Sequence, residues 1–99
     1  MYKVFKKRGE GKTSDLLKKS AETGVTVLSF NHMSALYAKD MAQRMGLDVP
    51  APLSITSENI LKGVRSKVYL DDADCVIKKL FEDKFPGLEL VGYSMSIDE

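Results

Sequence analysis

Apolar positions recur along the chain in two alternating periods. The run Val25-Thr26-Val27-Leu28-Ser29-Phe30 is β-branched and apolar, as a strand is; residues 2–5, 53–56 and 67–70 are shorter strand candidates, and residues 88–95 a longer final one. Between them the spacing becomes helical. Residues 13–23 bring Leu16, Leu17, Ser20 and Ala21 to one face. Residues 33–45, after an N-cap at Asn31, place Met33, Leu36, Tyr37, Met41 and Met45 at helical spacing, the expected packing side of that helix. Residues 57–62 read as a short helix capped by Ser57 with Ile60 and Leu61 turned inward. The clearest helical pattern is Ala73, Val76, Ile77, Leu80 and Phe81 within residues 73–84. Gly24 and Gly46 stop the first two helices, Pro86-Gly87 makes a turn, and residues 95–99 are expected to form a disordered tail.

Strands separated by helix-length crossovers imply an α/β fold: a single three-layer domain over residues 1–99, with a parallel sheet of about five strands and helices on both faces. Crossovers of this kind are right-handed, and ligands bind beyond the carboxyl ends of the strands.

Composition narrows the picture. Of 99 residues 43% are hydrophobic and 29% charged, as in a globular chain rather than a disordered one. No apolar run approaches the ~20 residues of a membrane span, and the charged N-terminus does not read as a secretory signal, so the expected compartment is cytoplasmic. One cysteine, Cys75, and one histidine, His32, exclude an intrachain disulfide and a His/Cys metal centre. The net charge of +1 conceals an asymmetry. Residues 1–19 carry seven Lys/Arg against Glu10 and Asp15, and residues 71–99 carry eight Asp/Glu against three lysines. A basic N-terminal segment suits an anionic ligand, and equally a polarised, solvated surface.

Two loops at strand ends carry candidate chemistry. Arg8-Gly9-Glu10-Gly11-Lys12-Thr13-Ser14 stands between a strand and a helix, where a phosphate-binding loop belongs. Backbone N–H groups of a glycine-rich turn converge on phosphate oxygens, and the helix N-terminus adds positive potential. Lys12 would reach the outer phosphates and the Thr13 hydroxyl would hold Mg²⁺. The full pattern, Gly-x₄-Gly-Lys-Ser/Thr, has Lys6 in place of its first glycine. The same residues equally fit a charged turn with Thr13 as helix N-cap. Further along, Val68-Tyr69-Leu70 runs straight into Asp71-Asp72-Ala73-Asp74. A carboxylate at a strand end can hold Mg²⁺ opposite the loop hydroxyl, and a second beside it can orient the attacking water. Helix N-capping explains one such acid and leaves the others unexplained.

These stretches together resemble the first, motor-like (RecA-like) domain of DEAD-box-type helicases and related P-loop ATPases. Residues 8–13 look like the Walker A loop, and Asp71-Asp72-Ala73-Asp74 like the Walker B box. Ile55-Thr56-Ser57-Glu58-Asn59-Ile60-Leu61 looks like the Thr-Pro-Glu segment, and Tyr93-Ser94-Met95-Ser96 like the Ser-Ala-Thr motif on the last strand. The chain is similar, too, to small P-loop-type proteins encoded by bacteriophages. The resemblance implies ATP and Mg²⁺ as ligands, with residues 8–14 around the phosphates, Thr13 and Asp71 sharing the metal, Asp72 at the catalytic carboxylate, and Ser94 and Ser96 coupling the site to its neighbours. It also implies a strand order: the last strand between the first strand and strand 67–70, then strand 25–30, with strand 53–56 beyond. The departures are Lys6, Ser57 for the proline, Asp72 one methylene shorter than glutamate, and the absence of the second domain that supplies an arginine finger.

The expected function is therefore nucleotide binding with weak or partner-dependent hydrolysis, the site completed by self-association or a protein partner. The alternative is a non-catalytic interaction module, such as a modulator of a host ATPase, that keeps the fold without the chemistry. Nucleic-acid binding ranks third: the tyrosines are not interleaved with basic residues into a stacking platform.

Overall fold

The computed structural model describes residues 1–7, 11–56 and 67–97. Five strands and three helices occupy them: β1 (Tyr2–Lys6), α1 (Lys12–Thr23), β2 (Thr26–Ser29), α2 (His32–Arg44), β3 (Leu53–Ser54), β4 (Lys67–Leu70), α3 (Cys75–Lys84) and β5 (Glu89–Ser96). All strand pairs are parallel, in the order β1-β5-β4-β2-β3. The α/β class and the strand order both match the sequence expectation. The expected helix 57–62 and the loop residues Arg8, Gly9 and Glu10 lie outside the described residues.

Strand pleating splits the core into two layers. Val4, Val27 and Tyr69 face one way and pack with Leu16 and Leu17 of α1 and Ala38 and Ala42 of α2. Leu28, Val68, Leu70 and Tyr93 face the other way and pack with Phe81 and with Phe85, just beyond α3. The Phe81 and Phe85 rings lie 5.5 Å apart. Leu16, Leu17, Leu28, Val68 and Leu70 are wholly shielded from solvent, each contributing roughly 1.5–3 kcal/mol by burial.

A glycine sets the fit at the sheet centre. A register irregularity after Val68 brings Gly92 opposite Tyr69 on β4, and Gly92 also pairs with Tyr2 on β1. The Tyr69 ring leans over it, with the Tyr2 ring 6.1 Å from that of Tyr69 between centroids. A Cβ at this position would stand 2.7 Å from the Tyr69 ring and 2.8 Å from the Tyr2 carbonyl oxygen.

The buried side of α2 differs from expectation. Ala35, Ala38 and Ala42 face the sheet, whereas Met33 (73% exposed), Leu36 (47%) and Tyr37 (55%) face outward. Small side chains let the helix approach the sheet closely, and the alanine stripe is as periodic as the larger residues that surround it. Leu80 likewise is exposed while Phe81 is buried. Residues 95 and 96 belong to β5 rather than to a tail. Ser96 pairs with Lys6, and the Ile97 N–H continues the ladder to the Lys6 carbonyl at 3.0 Å.

No helix among the described residues is long and apolar enough to cross a membrane.

Candidate functional site

The site forms where α1 begins. Gly11 precedes the helix with φ 89°, a left-handed conformation natural to glycine. A Cβ there would meet only the Ser14 Cβ at 3.9 Å, so backbone conformation, not crowding, calls for glycine. Lys12 and Thr13 follow in the first turn, and Ser14 is half-buried behind them. Thr13 is not the N-cap: Gly11 holds that place, without a side-chain cap hydrogen bond. The Thr13 hydroxyl instead donates to Oδ2 of Asp71 at 2.7 Å.

Asp71 is placed by the sheet. Its N–H donates to the Leu28 carbonyl at 2.8 Å, extending β4 by one residue past Leu70. Its side chain is buried, and Oδ1 accepts from the Ser94 hydroxyl at 2.6 Å. The same Ser94 oxygen accepts the Asp72 N–H at 2.7 Å, and the Ser94 carbonyl accepts the Ala73 N–H at 2.7 Å. One residue of β5 thus fixes three successive residues of the acidic turn. Asp72 sits in that turn at φ 52°, the left-handed region that Asp tolerates better than most side chains. Its Oδ1 lies 3.2 Å from the Lys12 ammonium and accepts from the Ser96 hydroxyl at 3.3 Å.

Capping does not account for these acids. Asp74 precedes α3 and supplies the carbonyl that accepts the Lys78 N–H at 2.9 Å, while the carboxylates of Asp71 and Asp72 face α1 and β5. Lys6, at the motif's first position, lies inside β1 and pairs with Asp15 of α1 at 2.6 Å.

A cleft of about 320 Å³ opens at this end of the sheet. Lys12, Thr13, Asp71 and Asp72 form one wall. The opposite wall comes from the end of β2 and the start of α2, with Ser29, Asn31 and Tyr37 among its residues. Asn31 caps α2 as expected, its Oδ1 accepting the Ser34 N–H at 2.8 Å. Ser29 was not visible as a site residue in the sequence, where it is simply part of a strand. Its position at the carboxyl end of a central strand, two residues before a capping Asn, was the available signal. It is 1% exposed, and its Oγ is a buried polar atom without a hydrogen-bond partner among the described residues.

The charged lining is one lysine and two aspartates. Among the described lining residues negative side chains outnumber positive ones, so a polyphosphate would fit there better with a divalent cation than bare. Among the described residues no three His, Cys, Asp or Glu side chains gather around a metal position. A hydroxyl and a carboxylate 2.7 Å apart nevertheless fit Mg²⁺, which typically takes one or two carboxylates and completes its shell with water and substrate phosphates. The donor set suits a metal that arrives with its ligand rather than one held in advance.

Structure thus brings together Lys12, Thr13, Asp71, Asp72, Ser94 and Ser96, drawn from three separate stretches of chain. Comparison with known proteins adds no relative to this geometry: no protein-family model, curated protein or solved structure matches the chain.

Proposed function

We propose that this chain binds a nucleoside triphosphate, ATP, together with Mg²⁺ at the start of α1, and hydrolyses it weakly or only with a partner's help. The carrying observation is the convergence of Thr13 on Asp71 at 2.7 Å, beside a lysine and after a left-handed glycine. The first N–H groups of α1 have no intrahelical partner and, with the helix dipole, favour an anion there. Lys12 adds a full positive charge on a side chain only 12% exposed. Thr13 and Asp71 would hold Mg²⁺, which when bound neutralises phosphate charge and polarises the terminal phosphoryl group.

Lys12 cannot serve Asp72 and a phosphate equally well. Engaging the phosphate draws its ammonium from Asp72, whose carboxylate is then left with Ser96 and free to orient water. This carboxylate is the group proposed to do so. Asp72 is one methylene shorter than a glutamate, which supports slow hydrolysis by the chain alone. Equilibrium binding of ATP to wild type and Thr13→Ala, with and without Mg²⁺, tests this reading. Wild type should gain affinity with Mg²⁺ and the variant should not; equal affinities in all four conditions would overturn it.

One observation favours a second reading, a protein-interaction module. Met33, Leu36 and Tyr37 form an exposed apolar stripe on α2, and Tyr37 also lines the cleft. A partner, or a second copy of the chain, seated there would also be placed to complete the cleft.

A further inference from the structure

The two walls of the cleft differ in chemistry. Among the described residues, the charged lining, Lys12, Asp71 and Asp72, lies on the α1 side. The α2 side is uncharged: Ser29, Phe30, Asn31, Ser34 and Tyr37. Two features of that side have no role in the fold. The Ser29 hydroxyl is buried in the cleft wall with no partner among the described residues, although an unsatisfied buried hydroxyl is destabilising. Tyr37 lines the cleft and stays about half exposed, at 55%, whereas Phe30 also lines a separate apolar hollow with Ile55, Phe81 and Phe85.

We infer that the α2 side of the cleft is a nucleoside subsite, in which Ser29 hydrogen-bonds a ligand hydroxyl or ring nitrogen and Tyr37 stacks on the base. This rests on the phosphate reading of the α1 side and extends it. A wall without charged side chains, with a spare hydroxyl and an open aromatic face, suits a neutral, flat, hydroxyl-bearing group. Stacking is tolerant of base identity, because every base has a π-face. The cleft, at about 320 Å³, falls at the small end of the range for ligand pockets. The nucleoside is part of the nucleotide whose phosphates lie at Lys12.

Calorimetric titration tests the subsite, using Mg·ATP and Mg·tripolyphosphate as probes on wild type, Ser29→Ala, Tyr37→Ala and Lys12→Ala. Wild type should prefer Mg·ATP. Tyr37→Ala should weaken Mg·ATP by about 5-fold or more, and Ser29→Ala by about 3- to 10-fold, with tripolyphosphate unchanged in both. Lys12→Ala should weaken both probes. Ser29→Ala should melt no lower than wild type, since it removes an unsatisfied group. Equal losses for both probes, or no loss of ATP affinity in either α2-side variant, would overturn the subsite and leave the phosphate reading intact. Binding of neither probe to wild type would overturn both.

Discussion

Thr13 donates its hydroxyl to Asp71 at 2.7 Å across 58 residues of sequence, while Ser94 holds the other oxygen of the same carboxylate at 2.6 Å. Asp71 is therefore both the acceptor that joins α1, β4 and β5 and an acid of the cleft wall. Asp71→Ala leaves two hydroxyls without their acceptor, and is expected to lower unfolding stability by about 1–3 kcal/mol. Asp71→Asn retains shape and one acceptor oxygen, so it should lose less. Both should remove the Mg²⁺ requirement for ATP binding. Urea unfolding and binding titrations with and without Mg²⁺ check the two effects separately.

Cleft charge makes a separate demand on the metal. With Lys12 facing Asp71 and Asp72, ATP in excess EDTA should bind at least about 10-fold more weakly than Mg·ATP, which corresponds to roughly 1.4 kcal/mol. Replacing Asp72 by Asn removes one negative charge and should narrow that gap. A competition titration in the two buffers reads it directly.

Gly92 is the most constrained position of the sheet. Gly92→Ala forces a Cβ to within 2.8 Å of the Tyr2 backbone oxygen and 2.7 Å of the Tyr69 ring, so the bulge or one tyrosine must move. The expected loss is about 1–3 kcal/mol, as for other overpacked sites. The double variant Gly92→Ala with Tyr69→Leu should recover none of the part set by the Tyr2 carbonyl. Denaturant midpoints of the single and double variants measure both parts.

The exposed stripe of α2 predicts the opposite pattern. Met33→Ser and Leu36→Ser should change stability by no more than about 0.5 kcal/mol, whereas Ala38→Leu, at a fully buried contact with the sheet, should destabilise by about 1–3 kcal/mol. If the stripe joins two copies of the chain, Leu36→Glu should convert a dimer to a monomer in analytical ultracentrifugation.

Much of the architecture was legible because period and punctuation agreed. The Val25 to Phe30 run, glycines 24 and 46, and the Asn31 cap all point to the same boundaries, and the structure places β2 and α2 accordingly. The α2 face was not legible. Alanines 35, 38 and 42 carry little hydrophobic weight one by one, so the methionine and leucine spacing dominated the pattern. In α3, Leu80 and Phe81 are adjacent members of one apolar stripe, and only the packing with Phe85 separates the buried one from the exposed one. In the site, residue types and order pointed to Lys12, Thr13, Asp71 and Asp72 without giving their contacts. The left-handed turn at Asp72 and the orphaned Ser29 hydroxyl depend on how β5 and β2 end, which no local pattern encodes.

The central claim is that the start of α1 is a working phosphate cradle, and thermal unfolding with Mg·ATP tests it most directly, on wild type and Lys12→Ala. Asp72, the partner Lys12 would leave, is 62% exposed on its side chain, so the variant should fold with little change in its own midpoint. Ligand at about 100 times its dissociation constant stabilises by roughly 2.7 kcal/mol, a rise on the order of 10 °C for a domain of this size. The account predicts that rise in wild type and its loss in Lys12→Ala. An unchanged midpoint in wild type at millimolar Mg·ATP, or an equal rise in both proteins, would contradict it.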